Sequence, residues 1–193
     1  RRWLIRQQDD ETDHSTEASL SSSDTFSLKL IDRAVAIAKT SSPLIRPIKV
    51  GSQSYYVCFL HPYQVRDLRQ QTNTGDWLDI QKAAMSGGDV NDNPIFTGAL
   101  GVANGVVLHE WTRLPNGIGA NSANTRRAVF CGAQALGMAW GQGHSEAPKY
   151  EEELFDYSRQ FGVSVQSILG AKKLQFNSKD FSTIVMSTYA AAP

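Results

Sequence analysis

Apolar residues along this chain alternate between two spacings, one helical and one extended. Between residues 26 and 40, Ile31, Ala34, Val35 and Ala38 recur at helical spacing, so the pattern predicts a helix over 26–40. Ser23 or Asp24 supplies a side-chain oxygen able to cap its first turn. Pro43 and Pro47 stop any continuation. The spacing then changes to two. Ile48 and Val50, then Tyr55, Val57 and Phe59, flank Gly51-Ser52-Gln53 and predict a hairpin.

His61-Pro62 breaks that strand, and Pro62 fits the first turn of a helix over 62–71. Val65 and Leu68 give this helix an inner face, with Arg66, Asp67 and Arg69 expected to point outward. TNTG at 72–75 reads as a turn, and 76–86 as a further helix with Trp77, Ile80 and Ala84 on one side. Asp76 complements the dipole at its start, and Gly87-Gly88 ends it.

Asn93-Pro94 marks a turn. Asn104-Gly105, between Val102 and Val106, predicts a hairpin over 100–110, because both turn residues tolerate positive φ. The Gly/Asn-rich segment 115–125 reads as a long, mobile, exposed loop. Residues 128–140 read as a short buried strand, a turn near Gly132 and a second apolar segment. The stretch 150–189 is expected to be β-rich, with turns at Phe161-Gly162 and Asn177-Ser178-Lys179-Asp180. Residues 7–23 are acidic and serine-rich, too polar to offset their ordering entropy, and read as a linker or loop.

The 193 residues carry 19 basic and 19 acidic side chains, and 41% are hydrophobic. That composition suffices for one domain, or two small interleaved subdomains, with a sizeable core. The neutral balance lacks the basic footprint of a nucleic-acid reader and gives little protection against association. No run of apolar residues is long enough to span a membrane, and no signal-peptide pattern is visible. Cys58 and Cys131 sit in apolar runs and read as buried free thiols rather than a disulfide or a zinc pair. The chain opens on Arg1-Arg2-Trp3 without a Met, which reads as a processed product, a cloned fragment or the ordered part of something longer.

Candidate chemistry is sparse. The histidines His14, His61, His109 and His144 form no zinc-protease motif, and Glu110 would face away from His109 on a strand. The acidic run Asp9, Asp10, Glu11 and Asp13 beside His14 lacks the glycine and terminal glutamate of a calcium loop. Gly137, Gly141 and Gly143 lack the lysine and the spacing of a phosphate loop. Trp3, Trp77, Trp111 and Trp140 fall on different elements, which favours packing over a stacking platform. Glu151-Glu152-Glu153 is either a solvated face or a partner for Arg126-Arg127 of a neighbouring copy.

Five segments in order carry a family resemblance: YYVCFLHPYQVRDLR, TGDWLDIQKAAMSGG, NPIFTGALGVANGVVLHE, AVFCGAQA and KKLQFNSKDFSTIV. Together they resemble the C-terminal half of tailed-phage major capsid proteins, in particular the capsid-like family of N4-type podoviruses and related prophages. The resemblance covers roughly residues 24–188. It implies an α+β chain with the Hong Kong phage-type capsid fold, built of an axial and a peripheral domain. On that basis 1–23 is a linker or loop, 24–46 a helix bordering the peripheral domain, 47–145 mostly axial domain, and 146–193 returning peripheral strands and tail. The loop at 115–125 becomes a candidate for the capsomer centre. The family's N-terminal arm, extended loop and spine helix have no counterpart in this sequence. The resemblance thus implies one of two things: a fragment that folds without building a shell, or a chain whose other half was cleaved, degraded or omitted.

The implied function is a major capsid protein, or its C-terminal fragment, assembling into hexamers and pentamers of an icosahedral shell around double-stranded DNA. It implies no catalysis and no cofactor. The implied partners are the chain itself, with scaffolding, portal or decoration proteins, DNA contacted non-specifically at most, and no membrane. The place implied is the virion, after assembly in the host bacterial cytoplasm. Candidate subunit-interface residues are Asn116, Asn121, Arg126, Arg127, Glu151 and Glu152. Two other classes compete. One is a small hydrolase or transferase built on His61, Asp67 and His109. The other is a β-rich peptide- or carbohydrate-binding module using Tyr55, Tyr56 and Trp111, which requires those aromatics to share one exposed surface.

Overall fold

A computed structural model describes residues 3–6, 16–71, 99–141 and 149–192, the first stretch by its backbone. The expected turn at 72–75, helix at 76–86 with its Gly87-Gly88 stop, the Asn93-Pro94 turn, His14 and His144 lie outside the described residues. The chain divides into two units: Arg1–Ala135 with Gln175–Pro193, and Leu136–Leu174.

The first unit is built on a mixed eight-stranded sheet. Its strands are β1 (Trp3–Arg6), β2 (Ile48–Val50), β3 (Gln53–Leu60), β4 (Ala99–Ala103), β5 (Val106–Glu110), β6 (Asn116–Ile118), β7 (Asn124–Cys131) and, late in the chain, β14 (Thr183–Tyr189). The spatial order is β1-β14-β7-β3-β5-β4, with β2 beside β3 and β6 beside β7. β1–β14 and β3–β5 are parallel; the other pairings are antiparallel. A short ladder, β12 (Gln175–Phe176) with β13 (Lys179–Asp180), turns through Asn177 and Ser178 at positive φ. That turn and the Gly51 and Asn104-Gly105 turns fall where the residues place them.

One face of the sheet carries the core. Tyr56, Cys58 and Leu60 of β3 alternate inward beside Val106 and Leu108 of β5, and the register continues through Phe130 and Ala128 to Ile184 and Met186. Helix α1 (Leu28–Thr40) adds Leu30, Ile31, Ala34, Val35 and Ala38, the predicted stripe with one more residue. It begins two residues later than expected. Asp24 serves the preceding turn instead, its Oδ2 accepting from the Ser21 N–H at 2.6 Å and the Ser21 hydroxyl at 2.9 Å.

Helix α2 (Pro62–Arg69) starts at the predicted proline. Its buried face is Gln64, Val65, Asp67 and Leu68, so Asp67 is not outward as the pattern suggested. Two apolar residues are too few to fill that face, and polar neighbours one helical step away are drawn in. Gln64 spans the joint, its side chain donating to Thr188 Oγ1 at 2.7 Å and to the Arg126 carbonyl at 3.1 Å.

The segment 115–125 is not a loose loop. Asn116, Gly117 and Ile118 pair with Arg126, Thr125 and Asn124. Asn121 and Ser122 turn the chain at positive φ, and Gly119 N–H donates to the Ala123 carbonyl at 2.7 Å. The composition that suggested mobility here builds a tight turn between two paired strands.

The second unit is a nested antiparallel ribbon. β8 (Leu136–Trp140) pairs with β11 (Leu169–Lys173), and between them β9 (Lys149–Phe155) pairs with β10 (Gln160–Gln166). The β9–β10 reversal lies at Asp156, Tyr157 and Ser158, all at positive φ, and not at Phe161-Gly162 as expected. Gly162 sits within β10, where the Phe155 ring lies over it; a Cβ there would meet that ring at 2.5 Å. The glycine signal reported a close approach rather than a turn.

Candidate assembly surfaces

Among its described residues the second unit has a surface and no interior. None of the buried apolar residues among those described lies between Leu136 and Leu174, whereas thirteen of the seventeen exposed large hydrophobic residues do. A two-stranded ribbon with no packed layer is marginal in water. Such an element needs a covering surface to hold its shape.

Its alternation is regular. The cross-strand pairs Tyr150–Val165, Glu152–Val163 and Leu154–Phe161 place six side chains on one face of β9–β10. Five are apolar and between 51% and 64% exposed. The sixth is Glu152, which accepts from the Tyr150 hydroxyl. The opposite face carries Lys149, Glu151, Glu153 and Ser164, with Lys149 ion-paired to Glu151. That pair holds the Glu151 carboxyl below its usual range. In β8–β11, Leu136, Met138, Trp140 and Leu169 likewise share a face and are exposed.

The remaining interface candidates gather where β6 pairs with the start of β7. Asn116 of β6 stands opposite Arg126 of β7, and Asn121 is exposed in the following turn. Arg127 is engaged within the chain. Its guanidinium donates to both carboxylate oxygens of Glu17, at 3.2 and 3.1 Å from Nε and 2.7 Å from Nη2. Glu17 Oε1 also accepts from the Thr125 hydroxyl at 2.9 Å. A Cβ on Gly117 would collide with the Glu17 carboxylate and with Thr125 Oγ1, so the glycine opens the space that clasp occupies. Sequence reading missed the clasp, because Glu17 lies in a segment that reads as linker. Arg126 differs from its neighbour: its guanidinium carbon sits 5.6 Å over the Tyr63 ring, and its Nε is buried without an acceptor.

The residues of the hydrolase reading have structural work. His61 caps α2, its Nδ1 accepting from the Tyr63 backbone N–H at 3.2 Å while the His61 backbone N–H donates to Gln64 Oε1 at 3.1 Å. Burial, then the nearby Arg126, lower its pKa against an opposing pull from Glu110. Asp67 Oδ1 accepts from Arg66 at 3.1 and 3.3 Å. Burial raises its carboxyl, with Arg66 opposing. The His109 ring packs 5.8 Å from Phe59.

The binding-module reading fails its own requirement. Tyr55 and Tyr56 alternate to opposite faces of β3. Tyr56 is buried, donating to the Ile45 carbonyl at 3.1 Å and packing 4.9 Å from Phe130, while Trp111 is exposed. Cys58 and Cys131 are free thiols, as the sequence suggested, but only Cys58 is buried; Cys131 is half-buried. Among the described residues no group of three or more potential metal ligands forms, and no helix is long and apolar enough to cross a membrane.

Comparison with known proteins agrees with this architecture. The family model described as phage capsid protein matches residues 2–192. The major capsid protein of Pseudomonas phage KPP25 is 30% identical over 93% of this chain and 49% of its own length. Among solved structures, the capsid of Ralstonia phage GP4 is 35% identical with a TM-score of 0.74, over 93% of this chain and 51% of that one. The cyanophage Pam1 capsid asymmetric unit shares the fold at 24% identity and a TM-score of 0.70, over 92% and 50%. The chain thus spans about half the length of the relatives it matches.

Proposed function

The chain belongs to the phage capsid protein family and has its α+β fold, and from that premise we propose that it is a shell-building region of a major capsid protein. It associates with copies of itself into the hexamers and pentamers of an icosahedral head that encloses double-stranded DNA. Its place is the virion, reached by assembly in the host cytoplasm. The observation that carries this reading is the Leu136–Leu174 unit, which exposes apolar faces and, among its described residues, buries none. A surface of that kind suits a protein whose folded state is completed by its neighbours.

In this reading 47–145 is mostly axial domain and 146–193 supplies returning peripheral strands. Asn116, Asn121, Arg126, Arg127, Glu151 and Glu152 lie at or near subunit contacts. Arg127 acts there through the clasp it makes with Glu17. The role is structural, with no catalytic step and no cofactor. Scaffolding, portal or decoration proteins are further partners, and packaged DNA is touched without sequence readout.

Negative-stain microscopy tests this, applied to the chain alone and to a version extended to the length of its relatives. Rings or closed shells from the extended version, with capsomers or smaller oligomers from the chain alone, are expected. Monomers from both would overturn the reading.

A further inference from the structure

The apolar face of β9–β10 contains one charge. Glu152 lies between Tyr150 and Leu154 and directly opposite Val163. Its partner, the Tyr150 hydroxyl, is a neutral donor. Glu151, on the other face, has Lys149. Among the described residues Glu152 has no cation. Covering this face with a purely apolar surface would strand a carboxylate out of water, which is costly unless a positive group meets it. The occupant must therefore be apolar with a cation set into it.

The main unit offers such a surface. Arg66 is paired with Asp67, and Arg127 with Glu17. Arg126 sits over the Tyr63 ring, with no carboxylate partner among the described residues and a buried Nε that lacks an acceptor. Two of the few exposed large apolar residues of this unit, Trp111 and Ile118, stand at the same end of the sheet. Trp111 follows the end of β5 and donates its N–H to the Leu60 carbonyl at 2.8 Å, where β3 ends. Ile118 lies on β6 beside the start of β7, the strand that carries Arg126.

We propose that the β9–β10 face of one chain docks on this sheet end of a second copy, with Glu152 of the first meeting Arg126 of the second. The inference rests on the capsid reading and specifies its contact. Charge complementarity selects the occupant: one anion in an apolar face, and one cation on an aromatic ring at a sheet end that exposes Trp111 and Ile118, both lacking an opposite charge among the described residues. The two surfaces differ, so the contact is heterologous. A heterologous contact that closes makes a ring, the form a capsomer takes.

Sedimentation velocity over a concentration series tests this with Glu152→Arg and Arg126→Glu. Each variant alone should raise the dissociation constant about thirtyfold or more, because like charges then meet in the contact. An equimolar mixture of the two should restore association, since every contact between unlike chains regains one positive and one negative partner. Wild-type association that neither variant weakens overturns the docking and leaves self-association standing. Weakening with no rescue on mixing overturns the pairing of Glu152 with Arg126. A wild type that stays monomeric throughout overturns the docking, and the capsid reading then falls only if a version extended to the length of its relatives is monomeric too. If circular dichroism shows Arg126→Glu unfolded, mixing Arg126→Cys with Glu152→Cys under oxidation replaces it. A disulfide-linked dimer is then expected, and its absence overturns the proposal.

Discussion

Arg127 grips Glu17 across 110 positions of sequence, fixing the segment before α1 onto the middle of the sheet. The same carboxylate accepts from Thr125, and Gly117 leaves the room for it. Removing either charge should loosen that segment. Arg127 is 35% exposed, so solvent screening discounts the pair to about 1–2 kcal/mol. Glu17→Gln and Arg127→Gln are each expected to lower stability by that amount in urea unfolding. The double variant should cost less than the sum. Strict additivity would show that the clasp contributes nothing as a pair.

Much of the main unit was legible from residues alone. The stripe Ile31, Ala34, Val35 and Ala38, the Pro62 helix start and the Asn104-Gly105 hairpin are local signals, and local physics decides them. The failures share a cause. Asp67 is buried because α2 has too few apolar residues for the face it packs with, which no single-helix pattern reveals. Residues 115–125 form paired strands because β7 and the Leu20 carbonyl are there to receive them, the latter accepting from the Ala120 N–H at 2.8 Å. Gly162 marks a ring packed over backbone, a contact across strands. At the candidate interface, the sequence suggested a turn at Phe161-Gly162, and only the β9–β10 register brings Phe161, Val163 and Val165 onto one face. Nothing in the sequence told a face awaiting a partner from a face already covered.

His61 makes stability pH-dependent. Burial and Arg126 depress its folded-state pKa below the ordinary 6.5. The unfolded chain therefore binds more protons as pH falls past that value, and stability drops from there toward the lower folded-state pKa. Protonation at Nδ1 also removes the acceptor for the Tyr63 N–H. Asp67 works the other way in a lower window, because its carboxyl is raised above 3.8. His61→Asn keeps a capping side chain without a titration. Melting temperatures between about pH 7.5 and about pH 5.5 should fall less steeply for this variant than for the wild type. Parallel slopes would contradict the assignment.

Both thiols should be inert in the folded chain. Burial pushes Cys131 up to about 11 and Cys58 higher still, with Cys131 adding to the shift at Cys58. The reactive thiolate is then scarce near about pH 8. Iodoacetamide followed by mass spectrometry is expected to find neither residue modified until denaturant is added. Rapid labelling of Cys58 in the native chain would contradict its burial in the sheet.

The central claim is that the Leu136–Leu174 ribbon is an assembly surface. Sedimentation velocity of the wild type against Leu154→Ser/Phe161→Ser/Val163→Ser tests it most directly, with near-ultraviolet circular dichroism reporting the main core. The account predicts concentration-dependent oligomers for the wild type and a folded monomer for the triple variant. Equal association by both, or a wild type that stays monomeric at every concentration, would contradict it.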